Sequence, residues 1–180
     1  MNLTAKFRNG PFEVAADDIA KLREVLSLVE GEESDELLGR IFRRAVSAVE
    51  EYCGRVYRAG TWTLLFAGSG DAAFLPLFPV SAVTAAKADG EALESGAFRL
   101  LPEAGGWGVR LTDPVSESLE LTVSAGYAEG ALPDAFEAAV FQVAADLYEH
   151  REAQSEVSLS ENRTLKFCLE PLRFYAGVSR

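Results

Sequence analysis

The sequence predicts an α+β fold, a helical bundle with a small antiparallel β-sheet or barrel inserted between its second and third helices. The prediction rests first on periodicity. Stretches before residue 54 and after residue 133 carry apolar residues at three- and four-residue steps, the period of a helix with one buried face. Between them lie short β-rich pieces separated by glycine, proline and acidic turn residues. In the last piece, "SLELTVSAGY" (118–127), Leu119, Leu121 and Val123 alternate with Glu120 and Thr122, as a half-buried antiparallel strand requires.

Taken in order, an extended start leads into "AADDIAKLREVLSLV" (15–29), with Ile19, Leu22, Val25, Leu26 and Leu28 at roughly helical spacing. Asp17 and Asp18 fall in its first turn, where carboxylates favour the positive end of the helix dipole. The acidic turn "EGEESDE" lacks the alternating ligands and central glycine of a calcium loop. Ser34 is placed to cap the second helix, in which Leu38, Ile41, Phe42, Ala45, Val49, Tyr52 and Cys53 form one face. Arg40, Arg43, Arg44, Glu50 and Glu51 take the others, and Gly54 ends the helix. The β-rich pieces are "TWTLLF", "AAFLPL", "SAVTAAKA", "AFRLL", "WGVRL" and "SLELTVSAGY"; "GSGD", "ADGEALESG", "EAGG" and "TDP" read as turns between them. Pro133 opens the third helix, whose buried stripe is Phe136, Val140, Val143, Ala144 and Leu147. A polar break precedes a short last helix carrying Leu165, Cys168 and Leu169, stopped by Pro171. The organisation is thus one domain over 1–180, helical over about 14–54 and 133–170, β-rich over about 56–126, with a C-terminal tail over about 170–180.

Composition narrows the function. The chain has 180 residues and a net charge of −11, which opposes simple nucleic-acid binding because DNA is held by cations that displace its counterions. A wall along which DNA slides is compatible with that charge. No apolar run approaches the ~20 residues of a membrane span, and the N-terminus has no apolar signal core, so synthesis in a cytoplasm is expected. Cys53 and Cys168 fall in helix-like apolar patterns and read as small buried hydrophobes. Two cysteines and one histidine without CxxC or HxxxH spacing make no zinc site within a subunit, and no cofactor is expected.

Catalysis finds little support. His150, the only histidine, sits at the end of the third helix, where a cation is favoured by the dipole and can cap the last carbonyls. No GxSxG elbow supplies a nucleophile. "FAGSGDAAF" lacks the GK[ST] of a phosphate loop, and "LPEAGGWGVR" lacks the order of a dinucleotide fingerprint. Trp62 and Trp107 lie in strands and read as core fillers rather than a sugar platform. The tail "EPLRFYAGVSR" is apolar and aromatic for a chain end. Leu169, Leu172, Arg173, Phe174 and Tyr175 are residue types that anchor partner surfaces, unless the tail folds back on its own domain.

These motifs, in this order, resemble the head–tail connector (adaptor) proteins of long-tailed bacteriophages and related gene transfer agents. "DELLGRIFRRAVSAVEEYCGRVY" is similar to the family's long helix and its Tyr-x-Gly-Arg turn, here Tyr52, Gly54 and Arg55. "LPLFPVSAVTA" resembles its Leu-Pro-x-x-Pro-Val segment through Leu75, Pro76, Pro79 and Val80. "LTVSAGYAEGALPDAFEAAVFQVAADLYEHRE" resembles its valine strand, Ala-Gly-Tyr turn and third helix, and "LEPLRFY" its Leu-x-Pro-Tyr-Arg, with Leu172 where tyrosine is usual.

The resemblance implies a non-enzymatic virion structural protein at the head–tail junction, made in a bacterial host's cytoplasm. Its implied partners are the portal protein, a neck or tail-completion protein, and other copies of itself in a ring, usually twelvefold, through which DNA passes without specific binding. Leu169, Pro171, Leu172, Arg173, Phe174 and Tyr175 would dock on the portal. In "YEHRE", Tyr148 would be buried, with His150, Arg151 and Glu152 suited to contacts between subunits. The alternatives are a neck or tail adaptor that never touches the portal, and a small-ligand or carbohydrate module in the β-rich middle.

Overall fold

The structure is a computed structural model describing residues 1–29, 31–103, 106–149 and 169–174. The fold is α+β, as predicted. In chain order the elements are β1 (Asn2–Arg8), α1 (Ala16–Val25), α2 (Asp35–Cys53), β2 (Gly60–Ala67), β3 (Gly70–Leu75), β4 (Val80–Ala88), β5 (Glu91–Ala92), β6 (Phe98–Glu103), β7 (Gly106–Val115), β8 (Ser118–Ala125) and α3 (Asp134–Glu149), then a 3-10 turn, Glu170–Leu172. They form two compact units. One takes Met1–Pro11, Gly54–Ala131 and the chain from Phe174; the other takes Phe12–Cys53 and Leu132–Arg173.

The β unit contains two antiparallel sheets, one in the order β1-β2-β8-β4-β5 and one in the order β3-β7-β6. Among the described residues neither closes into a barrel. The alternation read in β8 holds: Leu119, Leu121, Val123 and Ala125 are buried while the intervening residues are half-exposed. They join Leu64 and Phe66 of β2, Leu75 of β3 and Val109 and Leu111 of β7 in a single core. Removing each such side chain from water contributes roughly 1.5–3 kcal/mol. Trp62 is in this core and Trp107 packs against it, so neither is free to form a platform.

The turn expected at "TDP" is absent. β7 runs through Thr112, Asp113 and Pro114 to Val115, and its pairing with β3 shifts register there, between Gly70 opposite Val115 and Ala72 opposite Arg110. A proline that cannot donate to a ladder is tolerated at such an irregularity. The Asp89–Gly90 turn behaves as its sequence suggests, both residues having positive φ. Asp89 does more than turn the chain: its carboxylate accepts the backbone N–H groups of Ser116, Glu117 and Ser118 at 2.8–2.9 Å, fixing the β7–β8 turn. Those donors favour the ionised form and hold the carboxyl below its usual pKa. At Gly126, φ is +117 and the chain runs so close to the Arg58–Ala59 peptide that any side chain would collide with it.

The helical unit is a three-helix assembly. Ser34 caps α2 as predicted, its Oγ accepting from Leu37 N–H at 3.2 Å. Leu38, Ile41, Phe42, Ala45, Val49 and Cys53 are buried along one face. Phe42 lies 5.3 Å from the ring of Phe141 on α3 and 6.5 Å from that of Phe12. α1 is shorter than predicted. Ser27 adopts φ +55 and breaks the helical path, leaving Ile19 and Leu22 buried but Val25 and Val29 exposed. Asp18 caps the start of α1, accepting from Ala15 N–H at 2.9 Å. Pro133 lies one position outside α3 rather than in its first turn, and its carbonyl accepts from Phe136 and Glu137. Ion pairs join the helices: Lys21 of α1 meets Glu137 of α3 at 3.1 Å, and Arg23 meets Asp35 of α2 at 2.8 Å. The expected last helix lies outside the described residues up to Cys168.

Candidate docking surface

The segment expected to dock, Leu169 to Tyr175, is described as far as Phe174, and in that part it folds back on the chain. In the helical unit Leu169 is buried, and its carbonyl lies 4.0 Å from the Cys53 thiol at the end of α2. Pro171 falls within the 3-10 turn and is exposed, whereas Leu172 is half-buried. One residue upstream on α2, Tyr52 donates its hydroxyl to Glu170 Oε2 at 3.0 Å. The Arg173 guanidinium covers the Tyr52 ring at 5.0 Å and approaches Glu170 at 3.6 Å. Burial, then the carboxylate of Glu170, pushes the Tyr52 hydroxyl above its ordinary pKa, since both oppose a phenolate.

In the β unit Phe174 continues the same segment. Its ring stacks on Phe78, centroids 5.2 Å apart and planes at 27°, and on Phe74 at 6.4 Å and 18°. Gly106 lies beneath this stack, and a side chain there would strike the rings of both Phe174 and Phe74. Arg55 covers the Phe78 ring at 4.9 Å and donates from Nη1 to the hydroxyl of Tyr127. Backbone bonds tie the same residues together: Val56 N–H donates to the Phe78 carbonyl and Gly126 N–H to that of Pro79, each at 2.8 Å.

Residues singled out far apart in sequence therefore meet. Arg55 of the Gly-Arg turn, Pro79 of the Pro-Val segment, Gly126 and Tyr127 of the Ala-Gly-Tyr turn and Phe174 of the tail are neighbours in one unit. Sequence reasoning missed Phe74 and Phe78, which receive Phe174. Phe78 stands between Pro76 and Pro79, and that flanking pair was the one local hint that its ring sits on a fixed bend.

Of the residues expected between subunits, Tyr148 is half-buried rather than fully buried, donating to Glu33 Oε1 at 3.0 Å within the helical unit. His150, Arg151, Glu152 and Tyr175 lie outside the described residues. Among the described residues no three of His, Cys, Asp and Glu gather as metal ligands, and no helix is long and apolar enough to cross a membrane.

No protein-family model matches the chain, and no curated protein matches it. Solved structures do. A chain in the neck of an empty gene transfer agent particle, computed with C6 symmetry, superposes with a TM-score of 0.77 at 22% identity, covering 98% of this chain and 99% of that one. A chain in the virion of a native gene transfer agent particle gives 0.76 at 21% identity, covering 97% and 98%. One in the neck of the native particle, computed with C12 symmetry, gives 0.68 at 21% identity over the same shares. At these identities the likeness establishes a shared fold over nearly the whole of each chain.

Proposed function

We propose that this chain is a structural component of the neck of a phage-like particle, a head–tail connector that docks on the portal as a ring and extends the DNA channel toward the tail. The observation that carries the reading is the end-to-end likeness to chains built into gene transfer agent necks, with 98% of this chain and 99% of that one superposed. The convergence of Arg55 and Tyr127, two residues of the motifs that carry the sequence resemblance, with Phe78 and Phe174 supports it.

In this role the chain contributes surfaces, not chemistry. The segment from Leu169 presents Pro171 and one side of Leu172, Arg173 and Phe174 from an anchored base. An anchored, part-exposed segment loses less conformational freedom on docking than a free tail would. Its partner is the portal; a neck or tail-completion protein takes the other end of the ring. The net charge of −11 suits a channel wall, since phosphates approaching it find no cationic trap.

An N-terminally tagged chain, recovered from the producing cell with its bound proteins identified by mass, tests the reading. Recovery of a portal-sized ring protein, lost when the chain is cut after Leu169, is the expected result. Recovery of tail proteins alone assigns an adaptor that never touches the portal, and recovery of no virion protein overturns the neck assignment.

A further inference from the structure

The outward face of the three-stranded sheet carries an arrangement that the fold does not need. On β6 and β7, Phe98, Leu100, Val109 and Leu111 point to the core, so Arg99 and Arg110 point away from it. The register places these two arginines directly opposite one another, with Ala72 of β3 as the other neighbour of Arg110. Both are exposed, and neither has an ion pair or hydrogen bond among the described residues.

Like charges directly opposite on adjacent strands are destabilising. The same chain shows the usual solution elsewhere: on the five-stranded sheet Lys87 stands opposite Glu120 and pairs with it at 2.8 Å. With 28 acidic residues against 17 basic ones, carboxylates were available for the smaller sheet as well. We propose that this outward face docks an acidic surface of a second copy of the chain, with Arg99 and Arg110 as a twin cationic anchor.

The chemistry favours that occupant. Two guanidiniums side by side offer several parallel N–H donors, the geometry that suits a carboxylate. Beside the charge, on the neighbouring outward row, half-buried Leu101 adds apolar contact. A nucleic acid is disfavoured, because two cations on a body of net charge −11 do not offset the repulsion of its phosphates. A second copy supplies what is missing: Glu91, Glu94, Asp113 and Glu117 are exposed and in no ion pair among the described residues. In a ring of identical subunits one patch meets a different patch on the next copy. The inference rests on the ring in the proposed function for that geometry, but its test does not require a portal.

The full chain carrying R99K and R110K keeps both charges and makes the anchor reactive toward a zero-length carbodiimide. A mixture of isotopically light and heavy protein, cross-linked at low salt, separates links between copies from links within one. Links between copies from the introduced amines to aspartate or glutamate are expected. Self-association measured by light scattering should weaken at least ~10-fold in R99E/R110E, a change of ~1.4 kcal/mol, with the far-UV spectrum unchanged. No links between copies, or self-association equal in the two proteins, overturns the proposal. So does retention of a short DNA duplex by the wild-type chain that R99E/R110E loses. Portal recovery without links removes this inference and leaves the neck role; links without portal recovery do the reverse.

Discussion

Replacing Phe174 by alanine tests whether this residue is part of the β unit or merely rests on it. The ring makes two aromatic contacts, at 5.2 and 6.4 Å, each contributing roughly 0.5–1.5 kcal/mol beyond area burial. The side chain is half-buried, so about half of a full phenylalanine transfer, ~1 kcal/mol, is lost as well. The contributions overlap, and a total of about 2 kcal/mol follows for F174A. With a urea slope of roughly 1–3 kcal/mol/M, the midpoint should fall by about 1 M. Trp62 and Trp107 both lie in the β unit and report its unfolding by fluorescence. F174L, which keeps most of the burial but not the stacking, should lose about half as much. A midpoint unchanged in F174A, with an unchanged slope, would refute the claim that Phe174 is anchored, and with it the idea that docking starts from a preordered segment.

Other expectations follow from the electrostatics. Asp89, held below its ordinary pKa by three backbone donors, contributes stability that is present above the unfolded carboxylate range and is lost as pH falls through its folded value. D89N should therefore flatten the acid limb of a stability–pH profile; an identical limb would exclude Asp89 from it. Tyr52, raised by burial and by Glu170, contributes stability that is full below the unfolded tyrosine pKa and disappears as pH rises through the folded one. The difference between ultraviolet titrations of the wild type and Y52F should show the Tyr52 hydroxyl ionising above the ordinary tyrosine range, and E170Q should move it only part of the way back, because burial is the larger cause. R99E should raise the melting temperature at low salt and do so less at high salt, since it turns repulsion opposite Arg110 into attraction. A lower melting temperature would show that Arg99 serves the fold itself.

What the sequence made legible was whatever repeats locally. β8 could be read from its alternation and α2 from its stripe and cap, because each residue's environment there is set by neighbours two to four positions away. The course of β7 through Pro114 was not legible, since a proline reads as a break and only pairing with β3 shows that the strand continues. α1 ended early at Ser27, a residue with no sequence signal for positive φ. The segment proposed to dock could be named from its composition, but not its support: Arg55 and Tyr127 are 72 positions apart, and nothing near either predicts their bond. Nothing in the sequence marks Arg99 and Arg110 as a pair; only the register sets them face to face.

The division of the chain between the two units has a bearing on how the protein is made. The chain leaves the β unit after Pro11, returns at Gly54, leaves again after Ala131 and returns at Phe174. During synthesis β1 emerges long before β2, its pairing partner, and the helices of the other unit are split in the same way. Neither unit can be completed on the ribosome while most of the chain is still inside it. Such late, long-range closure is slow, and it leaves β1 without its partner strand while the chain waits. A nascent chain stalled short of Phe174 leaves the β unit unfinished, and chaperone demand should peak before Phe174 emerges.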